Sequence, residues 1–356
     1  AGSRLMLTSG AFGYLFDYIL WWVLYLSLLL HTWCFFKLFP WKVYRKLGLS
    51  IGNGLVFLCL VGFVALAGES YLRFACVQTD SFGVSLPARR WFALQTKLNS
   101  LGCRDREWSP IKPPGVRRIA FVGDSFTYGW GIELPENRFP DRIQSLFDGR
   151  TPGLVEVMNV AKPGWDTGAQ LLPIQDMIAQ YGVDQVVLCY VANDIEKLLP
   201  TTDGFNPIRP PEVQFFNMDS SCLVDYLYRR IYLPRISSVR NYHDWLAEGF
   251  GDEDIWRRHQ QQLNAIIRHC QENGVTLHVA LLPFIRTSGD KLHIAALHAL
   301  LRRFFDVNQT PVVDLYPAIA GLTAEDLVVN RVDAHPNEHA HKLFAEAIWR
   351  AFYAQP

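Results

Sequence analysis

Two short segments, far apart in the chain, carry the residue types that a serine nucleophile needs. Ser125 lies in Gly123-Asp124-Ser125-Phe126-Thr127-Tyr128-Gly129, directly after an apolar run. A serine at a strand-to-helix turn between glycines can present its hydroxyl and its own backbone N–H at one place. The second segment, Asp333-Ala334-His335-Pro336-Asn337, offers a general base and an acid that orients it. Taken alone, the first segment is as consistent with an ordinary turn capped by a serine, and the second would favour a surface loop.

Two further positions offer donors for a developing oxyanion. Gly164 in Asn159-Val160-Ala161-Lys162-Pro163-Gly164 has an unencumbered backbone N–H, and Asn193 in Ala192-Asn193-Asp194 has a side-chain amide. Acyl transfer requires such donors, each contributing about 2.7–4 kcal/mol. A turn glycine and a loop asparagine are the simpler explanations of each residue alone, but four such features follow one another at successive predicted strand ends.

The elements that must position these residues alternate between strands and helices. Short apolar runs predict strands at Arg118–Gly123, Val155–Val160, Gln185–Val191, Val275–Leu282 and Pro311–Leu315. Helical spacing follows at Arg138–Phe147, Gly168–Tyr181, Asp254–Asn273, Lys291–Phe305 and Asn337–Phe352. This alternation predicts an α/β fold with a doubly wound parallel sheet whose ligands bind at the carboxyl ends of the strands.

With these four blocks in order, the chain resembles the SGNH, or GDSL-type, hydrolase family over about residues 116–356. The blocks are Gly123-Asp124-Ser125, Gly164, Asn193 and Asp333-Ala334-His335-Pro336-Asn337. The resemblance implies a flavodoxin-like sheet and a catalytic triad of Ser125, His335 and Asp333. It also implies an oxyanion hole formed by the Ser125 and Gly164 N–H groups and the Asn193 side chain. Many members place two residues between the Asp and the His, where this chain has one.

The last block also matches a zinc-protease pattern. His335-Pro336-Asn337-Glu338-His339 satisfies H-x-x-E-H, and His341 adds a third imidazole. That pattern needs both histidines on one helix face, whereas Pro336 suits the first turn of a helix. We therefore expect His335 just before the helix and His339 within it, and expect neither a metal nor another cofactor.

Two uncharged apolar runs precede the predicted sheet. Tyr18–Phe36 and Leu47–Gly68 have 19 and 22 residues and lack Asp, Glu, Lys and Arg. Each is long enough to cross a hydrocarbon core about 30 Å thick as a helix, so two transmembrane helices are predicted. The connection Lys37–Lys46 has four basic and no acidic residues, which predicts that it lies in the cytoplasm. Both chain ends, and with them the catalytic domain, are then expected on the extracytoplasmic side of a bacterial-type inner or plasma membrane.

The whole chain has 34 basic and 34 acidic residues, and this neutrality gives no reason to expect a nucleic-acid partner. We divide the chain into a membrane anchor (1–68), a connector (69–115) and a catalytic domain (116–356), with an insertion or lid expected at 200–251. The expected function is that of an extracytoplasmic serine esterase or O-acyltransferase. The chain's resemblance to membrane-anchored SGNH proteins of cell-envelope systems implies O-acyl groups, including O-acetyl groups, of surface glycans or lipids as the substrate. The alternative is a non-catalytic, glycan-binding accessory subunit of a polytopic membrane-bound acyltransferase.

Overall fold

A computed structural model of the chain describes residues 2–81, 83, 85–200, 221–232, 235, 242–286 and 293–354, with side chains from residue 15. Much of the predicted insertion 200–251, and the first two residues of the predicted helix Lys291–Phe305, lie outside the described residues. The helices are α1 (Gly2–Leu38), α2 (Arg45–Ser70), α3 (Leu86–Gln95), α4 (Ser125–Tyr128), α5 (Phe139–Arg150), α6 (Thr167–Tyr181), α7 (Cys222–Leu227), α8 (Tyr242–Gly251), α9 (Glu253–Glu272), α10 (Ile294–Val307), α11 (Ala324–Leu327) and α12 (Glu338–Phe352). The strands are β1 (Arg117–Gly123), β2 (Val155–Ala161), β3 (Gln185–Tyr190), β4 (Thr276–Leu281), β5 (Val312–Asp314), β6 (Val328–Asn330) and β7 (Asp333–Pro336).

The chain divides into two compact units. The hairpin unit contains the described residues of 1–78, 84–90 and 206–235, and the sheet unit contains those of 79–83, 91–205 and 236–356. The connector predicted at 69–115 includes helix α3, which the irregular hydrophobic pattern of that segment did not indicate.

The hairpin unit is built on α1 and α2. Leu15–Leu38 and Arg45–Ala75 have mean hydropathies of 1.7 and 2.2, so both helices are long and apolar enough to cross a membrane. Their large apolar side chains are mostly exposed, as for Phe57 and Phe63. Gly52 allows the two helices to approach, since a Cβ atom there would lie 2.9 Å from the ring of Phe36. These helices match the predicted apolar runs and are consistent with membrane anchoring.

The buried carboxylate of Glu69 links α7 to α2 within this unit. The Glu69 side chain accepts hydrogen bonds from Arg73, Ser221 and the backbone N–H groups of Cys222 and Leu223, at 2.7–3.1 Å. Glu69 thus accepts hydrogen bonds from N–H groups at the start of α7, which have no partner within that helix.

The sheet unit contains a five-stranded parallel sheet in the order β2-β1-β3-β4-β5, which confirms the predicted flavodoxin-like, doubly wound arrangement. Successive strand residues pack on opposite faces: Ala120 and Val122 lie in one apolar core with α6, α9 and α10, and Ile119 and Phe121 lie in the other with α5 and α12. All six residues of β3 are buried, as expected for a strand covered on both sides. In the register of the sheet, Gly123 pairs with both Ala161 and Cys189, so β1, β2 and β3 end at the same edge.

Candidate active site

The turn after β1 presents Ser125. Asp124 precedes α4, and its Oδ1 atom accepts the Phe126 N–H at 2.9 Å. Gly123 leaves no room for a side chain, because a Cβ atom there would lie 2.9 Å from Cβ of Thr127. Gly129 ends α4 in the left-handed region at φ 74°, which favours glycine. The predicted tight strand-to-helix turn is therefore present, with Ser125 partly exposed.

His335 joins Ser125 to Asp333. The distance from His335 Nε2 to Ser125 Oγ is 2.8 Å, and that from His335 Nδ1 to Asp333 Oδ1 is 2.6 Å. An ionised carboxylate only accepts hydrogen bonds, so Nδ1 carries the imidazole proton and donates it to Asp333. Nε2 then accepts the Ser125 hydroxyl. Asp333 is fully buried and His335 is 7% exposed, so water has little access to the hydrogen bond between these two residues.

A small hairpin holds Asp333 and His335. Strands β6 and β7 pair antiparallel, and β7 carries both Asp333 and His335. Asp333 Oδ1 also accepts the backbone N–H of His335 at 3.1 Å, which fixes the carboxylate against its own strand. Asn337 then caps α12 by accepting the N–H groups of His339 and Ala340. Helix α12 therefore starts after His335 and leaves it on the strand.

Three carboxylates raise the pKa of His335. Burial lowers its pKa, but the charge and hydrogen bond of Asp333, with the charges of Asp124 and Asp80, outweigh burial and leave the pKa above its ordinary value. Burial also raises the pKa of Asp124, against the hydrogen bonds it accepts from Phe126 and Asn193. The surroundings of His335 thus favour the imidazolium that a general base forms when it takes a proton.

The two predicted oxyanion donors lie on the turns after β2 and β3. Gly164 is exposed at φ 79°, in a turn whose Lys162 N–H donates to the Gly123 carbonyl at 3.3 Å. Asn193 Nδ2 donates to Asp124 Oδ2 at 3.2 Å, so Asn193 is linked to the turn after β1 through the residue before Ser125. Among the described residues, no hydrogen bond joins Ser125 directly to Gly164 or to Asn193.

Comparison with known families gives the same assignment as the four blocks. A family model described as "GDSL-like Lipase/Acylhydrolase family" matches residues 121–343. The chain belongs to this family. The name of the family describes lipases and acylhydrolases, so the chain is assigned to the hydrolases of the esterase type.

Several solved structures are similar to this GDSL-like chain. The psychrotrophic esterase EstA from Pseudoalteromonas sp. is 14% identical, with 66% of this chain and 96% of that chain covered and a TM-score of 0.42. A member of the lipolytic protein G-D-S-L family from Veillonella parvula is 15% identical, with 67% and 100% covered and a TM-score of 0.41. A catalytic mutant of Axe2, an acetylxylan esterase from Geobacillus stearothermophilus, is 15% identical, with 69% and 98% covered and a TM-score of 0.42. No curated protein matches the chain.

The GDSL-like site contains residues that sequence reasoning did not single out. Asp124 has no predicted role beyond its place in the Gly123-Asp124-Ser125 motif, yet its buried carboxylate accepts a hydrogen bond from Asn193 and raises the pKa of His335. Its position between Gly123 and Ser125 was the available signal. Aromatic rings lie beside His335 as well: Phe126 lies 5.3 Å and Trp130 6.4 Å from the His335 ring, measured between centroids. No local pattern distinguishes these rings from ordinary core residues.

The histidines of the alternative zinc pattern lie in different environments. His335 precedes α12, as predicted, and both of its ring nitrogens face Asp333 and Ser125. His339 is exposed on α12. His341 is buried against Phe139, its Nδ1 accepting the Phe139 N–H at 3.1 Å, and burial lowers its pKa to about 3. Because His335 lies outside the helix, these side chains do not share the helix face that H-x-x-E-H requires.

Proposed function

We propose that this GDSL-like protein is a membrane-anchored serine esterase or O-acyltransferase that forms an acyl-enzyme on Ser125. The observation that carries the proposal is the continuous chain of hydrogen bonds from Asp333 through His335 to Ser125, at 2.6 and 2.8 Å. Nucleophile, base and orienting acid are within hydrogen-bond reach of one another, which is the arrangement that activates a serine hydroxyl.

In the first step, Ser125 Oγ attacks the carbonyl carbon of an ester and His335 Nε2 takes the hydroxyl proton. Asp333 stabilises the imidazolium and keeps its Nδ1 proton directed at the carboxylate. The carbonyl oxygen gains the negative charge. We assign its stabilisation to the Ser125 and Gly164 N–H groups and to the Asn193 amide, which has a second Nδ2 hydrogen beyond the one directed at Asp124.

The intermediate collapses when the ester C–O bond breaks and His335 returns its proton to the leaving alcohol. Ser125 then carries the acyl group as an ester. In the second half-reaction His335 takes a proton from the acceptor, which attacks the acyl carbon. The bond from that carbon to Ser125 Oγ then breaks, and His335 returns the proton to the Ser125 oxygen. Water as acceptor gives hydrolysis, and a sugar hydroxyl gives O-acyl transfer.

The proposed substrates are O-acyl, including O-acetyl, groups on glycans or lipids of the cell envelope. The sheet unit would lie outside the cytoplasm, because four basic and no acidic residues connect the two apolar helices at Lys37–Lys46. The exposed apolar faces of α1 and α2 would contact lipid or the spans of a polytopic acyltransferase partner. A reporter enzyme that is active only outside the cytoplasm, fused after Pro356, tests this topology. Reporter activity that appears only when the fusion is made within Lys37–Lys46 would contradict it.

Labelling with a fluorophosphonate tests the mechanism. The full-length protein in detergent should be labelled on Ser125, and Ser125→Ala should abolish labelling. Ser145→Ala is the matched control, because Ser145 is an exposed helix residue whose hydroxyl donates only to the Asp141 carbonyl. Wild-type protein that does not react, or a Ser125→Ala variant that reacts as well as wild type, would refute the proposal. Turnover of acetylated glycan with and without added acceptor then separates hydrolysis from transfer.

A further inference from the structure

The stretch Thr79–Ser81, here called the strap, is hydrogen-bonded along the loop that carries the proposed acid and base. The Thr79 carbonyl accepts Asn330 Nδ2 at 3.2 Å. The Ser81 N–H donates to the Val332 carbonyl at 3.2 Å. The Ser81 hydroxyl donates to that same carbonyl at 3.3 Å and accepts the Ala334 N–H at 2.9 Å.

Ser81 therefore contacts both chain neighbours of Asp333. Its hydroxyl joins the residue before Asp333 to the residue after it and so limits rotation of the backbone that carries the carboxylate. The strap reaches the base from a second direction as well. The Asp80 carbonyl accepts the indole N–H of Trp130 at 3.1 Å, and the Trp130 ring lies beside His335.

The hairpin that carries Asp333 has little support of its own. Strands β6 and β7 have three and four residues, and an irregularity interrupts their register between Val328 and Asn330. A two-stranded hairpin of this size is marginal by itself. The strap adds hydrogen bonds to it from residues about 250 positions earlier in the chain.

We propose that Ser81 is a positioning residue for the Asp333–His335 pair, and that the strap completes the active site. The proposal rests on the function proposed above. In the chain, the strap begins four residues after the second apolar helical stretch ends at Ala75. The segment that leaves the anchor is thus part of the catalytic architecture, and a chain shortened to begin at α3 would lack it.

Replacing the Ser81 hydroxyl tests the proposal in the full-length protein. Ser81→Ala should lower kcat on a p-nitrophenyl ester, and the rate of fluorophosphonate labelling, by about tenfold or more, since small displacements of catalytic groups cost up to about 100-fold. KM should stay within about twofold. Ser81→Thr keeps a hydroxyl and should recover most of the lost rate, and Ser145→Ala should behave as wild type.

The outcomes separate positioning from folding. A Ser81→Ala protein that keeps the wild-type labelling rate, or that loses rate only because it is unfolded at the assay temperature in a thermal scan, would overturn the proposal. Failure of the wild-type protein to label would instead refute the proposed function.

Discussion

Replacing Asp333 by Asn removes the charge that faces His335 while almost preserving size. With the two charge centres about 4 Å apart and an effective dielectric constant of about 20, the carboxylate stabilises the imidazolium by about 4 kcal/mol. Losing that amount in the transition state lowers the rate about 10³-fold. The amide also offers an N–H where His335 Nδ1 needs an acceptor. It thereby favours the tautomer with the proton on Nε2, which cannot accept the Ser125 proton.

The assay is kcat and kcat/KM of full-length Asp333→Asn on a p-nitrophenyl ester between pH 5 and 9. The control is Asp314→Asn, because Asp314 makes the same kind of contact, 2.7 Å from Nδ1 of the buried His298. Asp314→Asn should lower the free energy of unfolding and leave kcat within about twofold, since this pair lies outside the proposed machinery. An Asp333→Asn protein that keeps more than about a tenth of the wild-type kcat would refute the reasoning. So would an equal loss of kcat in both variants.

Three further predictions concern the protonation of two histidines and the packing of the hairpin unit. Because the pKa of His335 is raised, kcat/KM should rise with pH around a midpoint above the ordinary value of about 6.5; a pH-rate profile with its midpoint at or below that value would contradict this. Burial lowers the pKa of His341 to about 3. The unfolded chain therefore binds a proton at His341 below pH about 6.5, whereas the folded protein does not. The free energy of unfolding should fall by about 1.4 kcal/mol per pH unit between pH about 6.5 and about 3. His341→Phe should flatten that dependence, as measured by unfolding midpoints across this pH range, and an unchanged slope would disprove the assignment. Glu69→Ala leaves hydrogen-bond donors at the start of α7 unpaired, at a cost of about 3 kcal/mol. Amide hydrogen exchange across Cys222–Leu227 should therefore become about 100-fold faster. Equal exchange rates in the variant and the wild type would contradict the stabilising role of Glu69.

The five strands of the sheet were predictable because their evidence is local. Runs such as Gln185–Val191 are apolar without alternation, and this property alone indicates a strand covered on both faces. The two apolar helices were predictable for the same reason. Helix α3 was not, because its segment has no sustained apolar period and includes Pro87.

The candidate site was predictable as a set of residue types but not as a geometry. The order of Ser125, Gly164, Asn193 and Asp333–His335 along the chain indicates the family. It says nothing about the strap, because a serine such as Ser81 has no pattern that separates it from any other loop serine. Its role depends on hydrogen bonds to residues about 250 positions away.

The sequence by itself determined the two apolar helices, the alternation of strands and helices, and the residue types available for chemistry. Each of these follows from short-range hydrophobic spacing or from the intrinsic chemistry of a side chain. Tertiary structure decided that Ser125 lies within hydrogen-bond distance of His335, which is 210 positions later in the chain. It also decided that the Asn193 side chain donates a hydrogen bond to Asp124. The physical reason is register: parallel pairing brings the ends of β1, β2 and β3 to one edge, and the strap and β7 complete the site through hydrogen bonds that no local segment encodes.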